Sequence, residues 1–213
     1  MPAPAIKICG INTAETLAAV IAGRADYVGF NFFARSPRYV SLDQVKPLAA
    51  QAAGRISRVG LFVDENDAAI TAAIAAAQLD VLQLHGGESP ARVAQLRAGS
   101  GLPVWKVISV ATRADLAHAG DYVGAADFIL LDAKTPQGDL PGGMGLAFDW
   151  ALLSGWQASL PWGMAGGLTA ANVGGAIALT GAPMVDTSSG VETAPGVKDA
   201  ALIAAFCAAA RAA

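Results

Sequence analysis

Long apolar runs, basic clusters, histidine and cysteine are all scarce in this chain of 213 residues, and each scarcity removes a class of function. No stretch approaches the roughly 20 consecutive apolar residues of a membrane-spanning helix, so no membrane partner is expected. Met1 to Ile8 lack the charged and apolar regions of a secretory signal, which points to the cytoplasm. The 14 Lys and Arg residues are scattered and the formal net charge is -3, so nucleic acid is not an expected partner. Two cysteines, Cys9 and Cys207, are too few and too far apart for a disulfide framework. With only His85 and His118 beside them, no spacing fits a metal site. No low-complexity linker interrupts the chain, and 54% hydrophobic content suffices for one substantial core. Residues 1–213 therefore read as a single domain.

What the chain does have is a repeated alternation of strand-like runs with Ala-rich helical segments. Strands are predicted at 6–9, 27–32, 58–63, 81–84, 104–108, 128–131, 162–165 and 184–186. Helices are predicted at 13–22, 42–53, 66–77, 90–97, 113–118, 150–157, 170–179 and 199–212. Strongly hydrophobic strands suit a parallel sheet covered by crossover helices. Eight such units in this length close into a single (β/α)8 TIM barrel of the α/β class. An open doubly wound sheet has fewer strands and a glycine fingerprint in its first turn. Here that turn reads Cys9-Gly10-Ile11-Asn12, which is no dinucleotide loop. The stretch 133–148, with Pro136, Pro141 and several glycines, lacks either periodicity and reads as a long loop of the kind that covers active sites.

Chemistry in a parallel barrel sits at the carboxyl ends of the strands, and polar residues collect there. Cys9 ends the first strand, Ser36-Pro37-Arg38 follow the second, and Asp64, His85 and Asp132 follow or end the third, fourth and sixth. Gly166-Gly167-Leu168 after the seventh strand and Ser188-Ser189-Gly190 after the eighth look like a phosphate cradle, with Gly143 and Gly145 of the long loop as further backbone donors. The plain alternatives are a tight turn at the glycine pair and an unliganded loop at Gly142-Gly143-Met144-Gly145. His85 is a satisfied structural histidine or a substrate contact. Asp64 faces the site or caps the helix starting near Asn66. Cys207 reads as a core residue and His118 as a surface one.

The motifs Lys7-Ile8-Cys9-Gly10, Gly29-Phe30 with Ser36-Pro37-Arg38, Gly60-Leu61-Phe62-Val63 and Gln83-Leu84-His85-Gly86 resemble the phosphoribosylanthranilate isomerase family. The resemblance continues through Leu130-Leu131-Asp132, Gly142-Gly143 with Gly145, and Ala165-Gly166-Gly167-Leu168. It ends with Asp186-Thr187-Ser188-Ser189-Gly190-Val191-Glu192 and Pro195-Gly196 with Lys198-Asp199, so it spans essentially the whole chain. It implies an Amadori rearrangement of N-(5-phosphoribosyl)anthranilate in tryptophan biosynthesis, acting on a small-molecule substrate without a cofactor or an obligatory protein partner. By matching positions it implies Cys9 as general base, Asp132 as general acid, Arg38 as partner of the anthranilate carboxylate, and Asp186 as a polar contact near the ribose. His85 joins them as a candidate substrate contact. Gly143, Gly145, Gly166, Gly167, Ser188, Ser189 and Gly190 then form the phosphate site. Met144 departs from the Ser or Thr usual in the family, and Thr169-Ala170-Ala171-Asn172 from its usual proline and glutamate. The alternatives are another sugar-phosphate isomerase or epimerase, or a barrel that binds a sugar phosphate without turning it over.

These roles place demands on the environment. A free thiol with a pKa near 8.5 is only about 3% thiolate at neutral pH. Lys7, two residues earlier on the same strand face, is expected to favour the charged form. An aspartate of ordinary pKa would be protonated in about one molecule in a thousand at pH 7, so Asp132 needs burial to serve as an acid.

Overall fold

The computed structural model describes residues 3–134 and 147–213. Eight parallel strands close into a barrel in sequence order: β1 (Ala5–Cys9), β2 (Tyr27–Asn31), β3 (Ser57–Phe62), β4 (Val81–Leu84), β5 (Val104–Val110), β6 (Phe128–Ala133), β7 (Trp162–Met164) and β8 (Met184–Thr187). The ring is completed by β1 pairing with β8, which sets Lys7 beside Asp186. Around it lie α1 (Ala14–Ala22), α2 (Leu42–Ala52), α3 (Asp67–Ala77), α4 (Pro90–Ser100), α5 (Val173–Thr180) and α6 (Ala200–Arg211).

Local chemistry explains where most helices start. The Thr13, Asn66, Ser89 and Asp199 side chains each accept a backbone N–H of the first turn. Ser41 and Gln44 form a reciprocal capping box at α2. Asn66, not Asp64, therefore caps α3.

Strand alternation divides the apolar residues into two shells. Ile6, Ile8, Val28, Phe30, Leu82, Ile129, Leu131 and Val185 face the helices and join the larger core. Val59, Val81, Trp105, Val107, Leu130, Ala165 and Met184 face the lumen. Tyr27, Trp105 and Phe128 pack across the amino-terminal half of the lumen, edge-to-face and tilted, with ring centroids 4.9 and 4.8 Å apart. This plug fills the bottom of the barrel, so the polar lumen residues are confined to the top.

The sequence-based helices at 113–118 and 150–157 are instead 3-10 segments, Arg113–Tyr122 and Trp150–Leu153. The apolar residues of the first, Leu116, Ala119 and Tyr122, recur every third position, which matches three residues per turn. A short hairpin of β9 (Glu192–Ala194) and β10 (Val197–Lys198) follows the 3-10 turn Ser189–Val191, and sequence patterning gave no sign of it. Strands this short cannot display alternation.

Phe206 of α6 is completely buried in the outer core. Its truncation to alanine is expected to cost about 3–5 kcal/mol, read as a lower urea midpoint for unfolding.

Candidate active site

The carboxyl-terminal rim gathers Lys7 and Cys9 from β1, Gln83 from β4 with His85 just beyond it, Asp132 from β6 and Asp186 from β8, all buried. Between β6 and β8 the small lumen residue at the level of the two aspartates is Ala165, just beyond β7, while Gly163 below it makes room for Met184 and Phe128. Lys7 Nζ donates to Asp186 Oδ2 at 2.9 Å. Burial works against the Lys7 ammonium, but Asp186 and Cys9 hold its pKa above the usual value. Asp186 Oδ1 meets no partner among the described residues, and neither do His85 Nδ1 and Gln83 Oε1.

Cys9 departs from the expectation in one respect. Lys7 does favour the thiolate, and Lys198 does too, but burial outweighs both and Asp186 adds to it, so the thiol is pushed up. The ammonium expected to activate Cys9 is largely neutralised by its own partner. Gly29 on the neighbouring strand makes room for the sulfur, since a Cβ there would lie 2.8 Å from Cys9 Sγ.

Asp132 meets its requirement. Burial, then the charge of Asp186, push its pKa up to about 7, against the opposing effects of the Ala133 N–H and Lys7. His85 Nε2 lies 3.5 Å from Asp132 Oδ2. Burial, with Lys106 and Lys7 nearby, lowers the His85 pKa to about 3. The imidazole is thus neutral at physiological pH, and this contact is not an ion pair.

Arg38 is held by the loop after β2. Asn31 accepts from Phe33 N and donates to Ser36 Oγ, which accepts from Arg38 N. The Arg38 guanidinium grips Glu192 through two bonds of 2.8 and 2.7 Å. Glu192 Oε1 also accepts from Lys198 Nζ at 2.7 Å. Glu192 and Lys198 lie within the family motif, but the Arg38–Glu192 pairing spans 154 residues and leaves no local trace.

The two candidate phosphate loops touch. Thr187 Oγ1 donates to Leu168 O at 2.7 Å, and a Cβ at Gly190 would collide with that same carbonyl. Gly166 and Gly167 both take positive φ, 84° and 65°, and a Cβ at Gly166 would meet Ala133 N at 2.8 Å. Among the described residues, the N–H groups of Gly166, Gly167, Ser189 and Gly190 donate to no backbone carbonyl. One expectation is adjusted: α5 begins at Val173 and not at 170, after a turn in which Asn172 bonds Thr169 N and Gly167 O. Any anion there would be held by loop amides and not by the first turn of α5. Gly143, Gly145 and Met144 lie outside the described residues.

Asp64 is tied into a neighbouring network. Its carboxylate accepts from Gly87 N, and its own N–H donates to Glu88, which also pairs with the buried Lys106 at 2.8 Å. This network braces the turn that carries His85. Cys207 is buried and His118 exposed, as their sequence contexts indicated. Among the described residues, no three His, Cys, Asp or Glu side chains are grouped to hold a metal ion, and no helix is long and apolar enough to cross a membrane.

Comparison with known proteins gives a consistent picture. A family model described as N-(5'-phosphoribosyl)anthranilate (PRA) isomerase matches residues 6–209. A protein from Paracoccus denitrificans named N-(5'-phosphoribosyl)anthranilate isomerase is 54% identical over 207 residues, covering 97% of this chain and 96% of its own. The crystal structure of phosphoribosyl anthranilate isomerase from Thermotoga maritima aligns with a TM-score of 0.88 at 33% identity, covering 99% of this chain and 100% of that one. A further crystal structure, of such an isomerase in complex with reduced 1-(o-carboxyphenylamino)-1-deoxyribulose 5-phosphate, aligns with a TM-score of 0.86 at 31% identity and the same coverage.

The raised pKa of Asp132 has a consequence for stability. Its folded value, about 7, exceeds that of an unfolded carboxyl. The protonated group therefore favours the fold below about pH 4, and this contribution is lost as pH rises through about 7. Asp132→Asn removes the dependence. Between about pH 4 and pH 8 the variant should gain on the wild type by up to about 4 kcal/mol in urea unfolding. A gap that does not change with pH would contradict the assignment.

Proposed function

The chain belongs to the N-(5'-phosphoribosyl)anthranilate isomerase family, and from that premise we propose how its rim residues divide the work. The enzyme carries out the Amadori rearrangement of N-(5-phosphoribosyl)anthranilate to 1-(2-carboxyphenylamino)-1-deoxyribulose 5-phosphate, a step of tryptophan biosynthesis. In our reading the whole chain, 1–213, is one domain. It works in the cytoplasm on this small molecule without an obligatory protein partner. It requires no cofactor, because the hydrogens move as protons within one molecule.

Asp132 is the general acid. Its proton passes to the ring oxygen of the furanose as the bond from that oxygen to C1' breaks, and the anthranilate nitrogen lone pair forms the C1'=N bond. Cys9, as thiolate, is the general base. It takes the proton from C2', and the electron pair of that bond becomes the C1'=C2' double bond while the iminium nitrogen is neutralised. The enol so formed tautomerises, with C1' gaining a proton and C2' becoming the ketone. Nothing is oxidised or reduced outside the substrate. A buried carboxyl half-protonated near neutrality, facing the same lumen as a buried thiol, is the observation that supports this division.

Arg38 receives the anthranilate carboxylate, and its geometry suits the task because Glu192 already fixes the guanidinium plane. Asp186 Oδ1 and His85 Nδ1, buried and without partners among the described residues, receive polar groups of the ribose. The backbone amides of Gly166, Gly167, Ser189 and Gly190 hold the phosphate, and Ser188 opens the turn that presents the last two. Gly143 and Gly145 are assigned to the same anion through the family resemblance alone.

An acid whose pKa lies below that of its base has a distinct pH signature. Below about pH 7 both groups carry protons and no base exists. Above the raised thiol pKa both are charged and no acid exists. kcat/KM should therefore rise through about pH 7 with the titration of Asp132 and fall only above the ordinary thiol range. A profile already falling at pH 7 would refute the assignment.

Replacing Cys9 with serine or Asp132 with asparagine should lower kcat about 10²–10⁴-fold, followed by the decay of substrate fluorescence, while circular dichroism stays unchanged. Turnover close to normal in either variant would remove that residue from its role. Arg38→Ala should raise KM more than it lowers kcat.

A further inference from the structure

Lys198 has no place in the acid–base scheme, yet it is one of the most thoroughly enclosed charges in the molecule. Its side chain has 0% exposure, and its ammonium makes three bonds: to Ser188 O at 2.8 Å, to Ser188 Oγ at 3.0 Å and to Glu192 Oε1 at 2.7 Å. Burial of this kind is costly for an ammonium unless every bond is made, and here all three of its protons have an acceptor. The register of the β9–β10 hairpin puts Lys198 opposite Glu192.

The acceptors matter as much as the lysine. Ser188 opens the turn whose N–H groups are assigned to the phosphate, and its backbone is in an irregular conformation, φ -128° and ψ -76°. Its hydroxyl donates to the Cys9 carbonyl at 3.1 Å. Lys198 thus grips the phosphate turn at two atoms, and that turn grips the end of β1. Glu192, the third acceptor, is the carboxylate that orients Arg38.

We propose that Lys198 is a positioning residue that locks the phosphate turn, the Cys9 strand end and Arg38 into one unit, so that phosphate affinity and the readiness of the thiol depend on the same ammonium. The proposal rests on the reading of Ser189 and Gly190 as phosphate ligands and of Cys9 as base. Three charged groups face the Cys9 sulfur: Lys7 on its own strand, Asp186 on β8 and Lys198 on β10. Lys7 is paired with Asp186, so Lys198 is the cation whose removal leaves the sulfur facing a neutral pair with no further positive charge. Lys198 in turn is faced by Glu192, Cys9 and Arg38.

The test uses inorganic phosphate as a competitive inhibitor of the full-length enzyme, and alkylation of Cys9 followed against pH in a Cys207→Ala background. In Lys198→Met, loss of the charge-assisted bonds should weaken phosphate inhibition by about 10–100-fold. KM should rise alongside, and the alkylation midpoint should move to higher pH. Lys198→Arg should recover part of both. Ser188→Ala keeps the charge and the bond to the Ser188 carbonyl but removes the hydroxyl bonds to Lys198 and to the Cys9 carbonyl, so phosphate inhibition should weaken, by less than in Lys198→Met, while the midpoint stays near that of the wild type. It also decides the matter should Lys198→Met fail to fold. Phosphate inhibition equal to the wild type in Ser188→Ala, or an unmoved alkylation midpoint in a folded Lys198→Met, overturns the proposal and leaves the acid–base reading intact. A wild-type enzyme that phosphate does not inhibit competitively overturns the phosphate reading, and the role of Lys198 with it.

Discussion

A lysine with no exposed surface, set in the lumen of a barrel, is tolerable only because an aspartate stands 2.9 Å away on the adjoining strand. Moving either charge alone out of water would cost several kcal/mol, so Lys7 and Asp186 must be buried together. The rest of the site takes its electrostatics from that pair. Asp186 raises the Asp132 carboxyl, Lys7 restrains the thiol of Cys9 and helps keep His85 uncharged. A rim that is polar but almost neutral overall can shift each titrating group by burial without stranding an unpaired ion.

The second organising set of charges runs around the mouth, from Arg38 through Glu192 to Lys198 and Ser188. Its members come from the loop after β2 and from the segment after β8. The two anionic ends of a long substrate, carboxylate and phosphate, would be met by loops of different origin, and this string of ionic bonds fixes their separation. Precise spacing of that kind is what converts binding into orientation of the reacting bond.

Much of this was legible in the sequence. Eight apolar strand signals gave the closed parallel barrel, and the strand-end positions of Cys9, Asp132 and Asp186 placed them on one rim. Helix starts at Asn66, Ser89 and Asp199 follow local capping rules, which sequence carries well. The illegible parts depended on distance or on competition. Glu192 meets Arg38 across 154 residues, and no pattern in either segment announces it. Asn172 has a helix-capping chemistry but spends it on the preceding turn, and α5 starts at Val173. The 3-10 segment Arg113–Tyr122 shows its three-residue period only once the buried positions are known. The influence of Lys7 on Cys9 was right in sign and too small in effect, because burial and an immediate counter-ion cannot be weighed from a strand pattern.

The closing seam of the ring carries one last implication, for the order in which the molecule is made. Lys7 leaves the ribosome 179 residues ahead of the Asp186 it needs, and the Cys9 carbonyl as far ahead of the Ser188 to which it is tied. A nascent chain without its final strand would have a lumen lysine lacking its counter-ion and a rim lacking its anion cradle. Completing the seam and acquiring catalytic competence are then the same event, and unfinished molecules stay inert until β8 and the turn after it have been translated.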